Sequence, residues 1–175
     1  MSQLKVNSIV PVGGLPSGSN GGIIQIKQLY KNDAVSATGS SESSFADISG
    51  MSLAITPSSN SNKILVCYCV KLSCSTSGRN NCMRLLRGST VIGGGTGGTT
   101  TDAIEHFRQP ESNGNMIYTG SYEFLDSPAT TSETTYKLQW SIESGTAYLN
   151  RRGEGGAGST AFGLASTMTL YEVSV

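Results

Sequence analysis

Beyond residue 22 the dominant pattern is alternation of apolar and polar residues with period two, which sends every second side chain to one face of a strand. Met51, Leu53 and Ile55 alternate with Ser52, Ala54 and Thr56 until Pro57 stops the run. Ile64, Val66, Tyr68, Val70 and Leu72 form a longer apolar face backed by Leu65, Cys67, Cys69 and Lys71, so this strand is expected to be long and mostly buried. Met116, Tyr118, Tyr122 and Phe124 interleave with Thr119, Ser121 and Glu123. Tyr136, Leu138, Trp140 and Ile142 interleave with Thr135, Lys137, Gln139, Ser141 and Glu143, the cleanest half-buried pattern in the chain. Near the end, Thr167, Thr169, Tyr171 and Val173 oppose Met168, Leu170 and Glu172, which predicts a strand with contacts on both faces.

Weaker runs at 23–30, 82–87, 90–92, 103–108 and 147–150 raise the expectation to about nine or ten short strands, the number of a sandwich or barrel. No segment sustains a helical period. Gly88-Ser89, Asp126-Ser127-Pro128 and Gly145 punctuate the runs as turns, and residues 87–90 read as a tight hairpin. The glycine stretches 93–98 and 153–158 read as long loops. With 175 residues there is room for one core, and over a third of the chain is Gly, Ser or Thr, which favours strands and turns over helices. The expected fold is all-β, a two-sheet β-sandwich at 23–175.

Residues 1–22 differ from the rest. Leu4, Val6, Ile9, Val10, Val12 and Leu15 are too apolar for a solvated tail, yet Pro11, Pro16 and repeated glycines prevent the segment from building a core. Its residues alone leave two readings open, a disordered leader or an extended attachment arm. The segment lacks the charged start, apolar middle and cleavage site of a secretory signal, so the chain is expected to be made in the cytoplasm without processing.

Charge narrows the partners. Twelve basic residues balance twelve acidic ones, and charged residues are only 14% of the chain. Nothing here gives the basic footprint needed for nucleic acid or an anionic membrane, and no stretch is long and apolar enough for a membrane-spanning helix. Cys67 and Cys69 share a strand face about 7 Å apart, too far for an easy disulfide, while Cys74 falls on the opposite face. With Cys82 they form no CxxC pair, and the single histidine, His106, is distant, so no metal or cofactor is expected and the cysteines read as buried free thiols. The 93–98 glycines match neither a P-loop nor a dinucleotide fingerprint. His106 and Glu105 offer an acid and a base, the basis for a less favoured reading as a polysaccharide-degrading enzyme, but no nucleophile elbow accompanies them. Arg79, Asn80, His106, Arg108, Tyr148, Arg151 and Arg152 stand at expected loop or strand ends with planar donors and aromatic faces suited to carbohydrate.

Three stretches carry a resemblance. They are Leu4-Lys5-Val6-Asn7-Ser8-Ile9-Val10-Pro11 leading through Gly21-Gly22 into Ile23-Ile24-Gln25, then Ile55-Thr56-Pro57-Ser58-Ser59-Asn60-Ser61-Asn62-Lys63-Ile64-Leu65-Val66, and Tyr122-Glu123-Phe124-Leu125-Asp126-Ser127-Pro128 running to Tyr136-Lys137-Leu138-Gln139. In this order, closed by Thr167-Met168-Thr169-Leu170-Tyr171-Glu172-Val173, they resemble the small tail-fibre and related virion proteins of phages that infect cyanobacteria and other aquatic bacteria. The resemblance implies a homotrimeric, jelly-roll-like head on the virion tail. Its N-terminal arm would bind tail, baseplate or capsid proteins, and its loops would meet a host receptor, a surface glycan among the options. It implies no enzyme. An alternative role within the same group is capsid decoration or cement. An apolar arm without a core and a head with few charges both suit association with other copies and other proteins.

Overall fold

The computed structural model describes residues 22–96, 102–110, 116–153 and 163–175, and all regular structure among them is strand. The order is β1 (Ile23–Lys31), β2 (Val35–Ile55), β3 (Lys63–Cys74), β4 (Asn81–Arg87), β5 (Thr90–Ile92), β6 (Glu105–Phe107), β7 (Tyr118–Asp126), β8 (Thr134–Leu149) and β9 (Ser166–Val173). β3 pairs with β9 on one edge and β7 on the other, and β1 adds outside β9, which gives a first sheet β1-β9-β3-β7. β8 pairs with β2 and β4, and β5 and β6 share the outer edge of β4, which gives a second sheet β2-β8-β4-β5/β6. The two meet at one corner, where Leu72, Ser73 and Cys74 of β3 pair with Leu149, Tyr148 and Ala147 of β8. Every pairing between these strands is antiparallel, the isolated Ser77↔Gln109 bridge being parallel, and most connections cross from one sheet to the other. This is the winding of a jelly roll, the architecture the sequence leads one to expect.

The inner faces of both sheets form one core. Ile64, Val66, Tyr68, Val70 and Leu72 of β3 and Met168 and Leu170 of β9 face Met83 and Leu85 of β4 and Tyr136, Leu138, Trp140 and Ile142 of β8. The alternation read at these positions is therefore the alternation between core and outer face. The Arg87↔Thr90 pairing confirms the hairpin, with Gly88 at φ 59° in a two-residue turn.

Several expectations change. β2 runs for 21 residues, whereas only its last stretch, Met51, Leu53 and Ile55, was legible from alternation. Gly145 does not end a strand: β8 continues through it at φ 83° to Leu149, so the 147–150 run is not separate. Met116 lies before β7 and is exposed, and the 103–108 run contracts to β6. All the cysteines are free, but only Cys74 is buried; Cys67, Cys69 and Cys82 face outward and are half-buried. Residues 1–21, with all the attachment positions from Leu4 to Leu15, lie outside the described residues, as do 97–98 and 154–158 of the glycine stretches.

Two polar clusters close the end where the described chain enters at Gly22 and leaves at Val175. Asp126 accepts a hydrogen bond from the Tyr136 hydroxyl at 2.6 Å and two from Arg87 at 2.8 and 2.9 Å. Burial, and next the bond to Asp126, push the Tyr136 hydroxyl pKa up. Glu172, 1% exposed, accepts from the Ser58 amide, the Ser58 hydroxyl and the Asn62 amide group at 2.6, 2.7 and 2.6 Å. Burial alone would raise its carboxyl pKa, but the bonds from Asn62 and Ser58 outweigh it and hold the group below 4.5.

Asp126→Ala strands two donors and is expected to cost about 2–4 kcal/mol in urea denaturation, Arg87 being partly solvated, while Tyr136→Phe costs about 1 kcal/mol. Because the folded-state pKa of Glu172 is lowered, its contribution is fully present above pH 4.5 and is lost as pH falls through the lowered value. Thermal midpoints measured across that acid range should fall less steeply in Glu172→Gln than in the wild type.

Candidate functional site

The strand registers distribute the remaining side chains over two outer faces and two ends of unlike chemistry. On the outer face of the first sheet, the pairings Ile26↔Tyr171, Tyr171↔Leu65 and Leu65↔Leu125 place four apolar residues in one row across β1, β9, β3 and β7. Ile23 and Val173 pair beside this row. Ile26 is 58% exposed, Leu125 48% and Ile23 55%, so large apolar area faces outward at the end where the leader joins β1. The next row, Gln28–Thr169–Cys67–Glu123, is polar, which sets the apolar row apart from Tyr30, exposed farther along β1.

On the outer face of the second sheet, one network of charged and amide side chains pairs among its own members. The Arg84 guanidinium lies 4.0 Å from the Phe45 ring centroid and donates to Gln139 at 2.8 Å. Gln139 in turn donates to Asp47 at 2.6 Å, and Lys137 donates to the other Asp47 oxygen at 2.9 Å. Hydrogen bonds from Gln139 first and Lys137 second hold the Asp47 carboxyl below its ordinary range. A network so paired does not need a partner to satisfy it.

The opposite end of the sandwich gathers the polar positions singled out in the sequence. Arg79 and Asn80 lie in the β3–β4 connection, and both are held by Glu143 of β8: Arg79 donates from Nη1 to Oε1 at 3.1 Å, and the Asn80 amide donates to Oε2 at 2.5 Å. Asn80 Oδ1 lies 3.1 Å from His106 Nε2 on β6. Arg108, two residues beyond, is exposed, and its charge acts on the Glu143 carboxyl. That carboxyl is lowered first by the Asn80 amide and then by Arg79. Tyr148 and Arg151 form a second group at this end, with the guanidinium 4.3 Å from the ring centroid. Arg152 is half-buried, and its Nε is enclosed without a partner among the described residues, so it is turned inward rather than presented.

Positions scattered between 79 and 152 thus converge as two clusters, Arg79–Asn80–His106–Arg108 and Tyr148–Arg151. Two organising residues escaped the sequence reading. Glu143 looked like the last polar position of a strand, and only the convergence of Arg79-Asn80 upon it gives it a role. Asn150, at φ 61°, donates to the Lys31 and Asp33 carbonyls at 2.9 and 3.0 Å and accepts from Ser166 at 2.6 Å, tying three strand ends together. A polar residue directly after a strand was its only signal.

Glu105 and His106 do not form an acid–base pair. As neighbours on a strand they point to opposite faces: His106 is exposed outside, whereas Glu105 turns toward Gly120 and Tyr68, where burial raises its pKa.

No family model matches the sequence, and no curated protein matches it. Among solved structures, the chain is similar to one described as the infectious bursal disease virus Gx strain, with 13% identity and a TM-score of 0.43 over 95% of this chain and 42% of that one. It is also similar to a chain of the T13 particle of the same virus, with 11% identity and a TM-score of 0.46 over 94% and 41%. A VP2 subviral particle of that virus gives 13% identity and a TM-score of 0.41 over 93% and 42%. The chain spans less than half the length of each.

Removing the Glu143 anchor should free the β3–β4 connection without unfolding the core. In Glu143→Ala, amide hydrogen exchange at Asn80 is expected to quicken about tenfold while core β3 amides stay protected.

Proposed function

We propose that this chain is a virion structural protein: the head of a short phage tail fibre that self-associates, fastens to the particle through residues 1–22 and presents its far end to the host surface. The observation that supports this best is the polarity of the sandwich. An exposed apolar row lies beside the point where the leader enters, and the arginine, tyrosine, asparagine and histidine clusters lie at the opposite end. Contiguous exposed apolar area rimmed by polar residues marks a protein-binding surface, and a chain with 14% charged residues has little charge repulsion to oppose contact between copies. The sequence resemblance supplies the number three and the tail location. An apolar leader that continues into Gly22 at that end would gain shelter from the assembly or from the particle. The separation of Glu105 from His106 gives no support to a polysaccharide-degrading enzyme.

Sedimentation of the purified chain is expected to give a trimer, and Ile26→Asp with Leu125→Asp should shift it to monomer with near-native circular dichroism. Deleting residues 2–22 should leave a folded head that no longer enters particles. A monomeric wild-type chain, or normal incorporation of the deletion, would overturn the proposal. Gold labelling of particles then distinguishes a tail position from capsid decoration.

A further inference from the structure

The far end gathers positive charge around one firmly tied connection. Residues 75–80 lead from β3 to β4 and are held from several directions. The Ser75 amide donates to the Thr146 carbonyl at 2.8 Å, the Gly78 amide donates to the Gln109 carbonyl at 2.9 Å, and Glu143 accepts from Arg79 and the Asn80 amide. Gly153 lies so close to Cys74 that a Cβ there would collide with the Cys74 carbonyl. These ties bring cations from three other parts of the chain. Arg108 precedes Gln109, Arg151 and Arg152 precede Gly153, and Lys71, whose carbonyl accepts from the Asn150 amide at 2.8 Å, stands near the end of β3. Among the described residues, Glu143 is the one carboxylate set against them on this surface: Lys31 and Asp33 pair with each other at 2.8 Å, and Glu105 is turned inward. Glu111 and Glu154 lie outside the described residues, and even with both counted here the cations stay in excess, on a chain with no net charge. Arg79 is 52% exposed, and His106 and Arg108 are exposed.

We infer that this end binds an acidic polysaccharide, a polymer with about one carboxylate per sugar. The inference deepens the reading above, on which the host as source of the polymer rests. A guanidinium offers a planar fork of donors that matches a carboxylate. The Arg151 fork is held over the Tyr148 ring, and among the described residues its side chain donates only from Nε, to the Arg152 carbonyl at 3.4 Å. Arg79 is fixed to Glu143 through Nη1. Both therefore keep donors for a ligand. Their anchors, Glu143 and Tyr148, lie five residues apart on β8, roughly 16 Å at ~3.3 Å per residue, so the two forks answer charges spaced along a polymer rather than one phosphate group. The Asn80 amide and the His106 ring, 3.1 Å apart, add uncharged donors and acceptors for sugar hydroxyls. Nucleic acid also carries one charge per unit, but its bases need open aromatic platforms, and Arg151 already covers Tyr148.

The full-length chain is titrated calorimetrically with polygalacturonate, neutral dextran and a mixed-sequence single-stranded DNA, and its oligomeric state is read by sedimentation in the same buffer. Polygalacturonate is expected to bind saturably, with affinity falling at least about tenfold as salt rises from about 0.05 to about 0.5 M and screening shortens. Dextran should not bind, and DNA should bind more weakly. Arg79→Gln with Arg151→Gln should weaken polygalacturonate binding at least about tenfold, whereas Lys27→Gln with Lys63→Gln, the same loss of charge elsewhere, should leave it unchanged. Arg151→Gln alone, with a loss of about threefold, serves if the double arginine variant fails to fold. No saturable binding of polygalacturonate, equal binding of dextran or DNA, or unchanged affinity in the folded arginine variants would overturn this assignment even if the chain sediments as a trimer. A monomer that binds polygalacturonate through these arginines would uphold it and overturn the assembly reading alone.

Discussion

The structure depends on one strand serving three neighbours. β8 pairs with β2 along one edge and, along the other, first with β4 and then with the end of β3. That change of partner joins the two sheets, and it forces a change of phase. Tyr136, Leu138, Trp140 and Ile142 face the core at even positions, but Ala147 and Leu149 face it at odd ones. A strand keeps its alternation unless a residue is inserted, and a bulge is that insertion. Here it falls between Ile142 and Gly145, where a φ of 83° at Gly145 suits glycine and a side chain would collide with Thr76 Oγ1. Without the phase change, the last turn of β8 would present Tyr148 to the core and Leu149 to solvent.

The same period-two rule accounts for the contrast between the outer faces. Both carry side chains of alternate parity, but the first sheet places Ile26, Tyr171, Leu65 and Leu125 at one level, whereas the second places Phe45, Arg84, Gln139 and Asp47 within a stacked and hydrogen-bonded network. Fully burying a large aliphatic side chain is worth about 1.5–3 kcal/mol, so the first face has far more to gain from a covering surface than the second. The asymmetry is a property of register, since a shift of one residue in β1 or β7 would break the row.

How much of this was legible follows from what each residue signals. Strands with one buried face, such as β3 and the first part of β8, announce themselves by alternation. The stretch 35–50 did not, because an edge strand built of Ser, Thr, Ala and Gly owes its conformation to the ladder of β8 rather than to burial of its own side chains. Gly145 stands between two runs and so reads as a turn, but a bulge within one strand interrupts a run as well. Side-chain chemistry marked Arg79, Asn80, His106, Arg108, Tyr148 and Arg151, but their convergence depends on which strands are neighbours. Glu143 and Asn150 stayed hidden because, Ser166 apart, the partners that give them a role lie 63 or more residues away in the chain.

The length of the sheet keeps its two ends independent. β3 has 12 residues, and at ~3.3 Å per residue it separates the chain-entry end from the far clusters by roughly 40 Å. Over that distance screened charges do not communicate, so the arginines of the far end neither strengthen nor weaken contact at the apolar row. On the proposed reading, each end could then be tuned separately: association by the area of a face held in strict register, recognition by loops anchored on Glu143 and Asn150. If copies associate through the first sheet about an axis that runs along the strands, their far ends point the same way, and several weak contacts add as an intramolecular sum whose strength is set by the spacing of the heads.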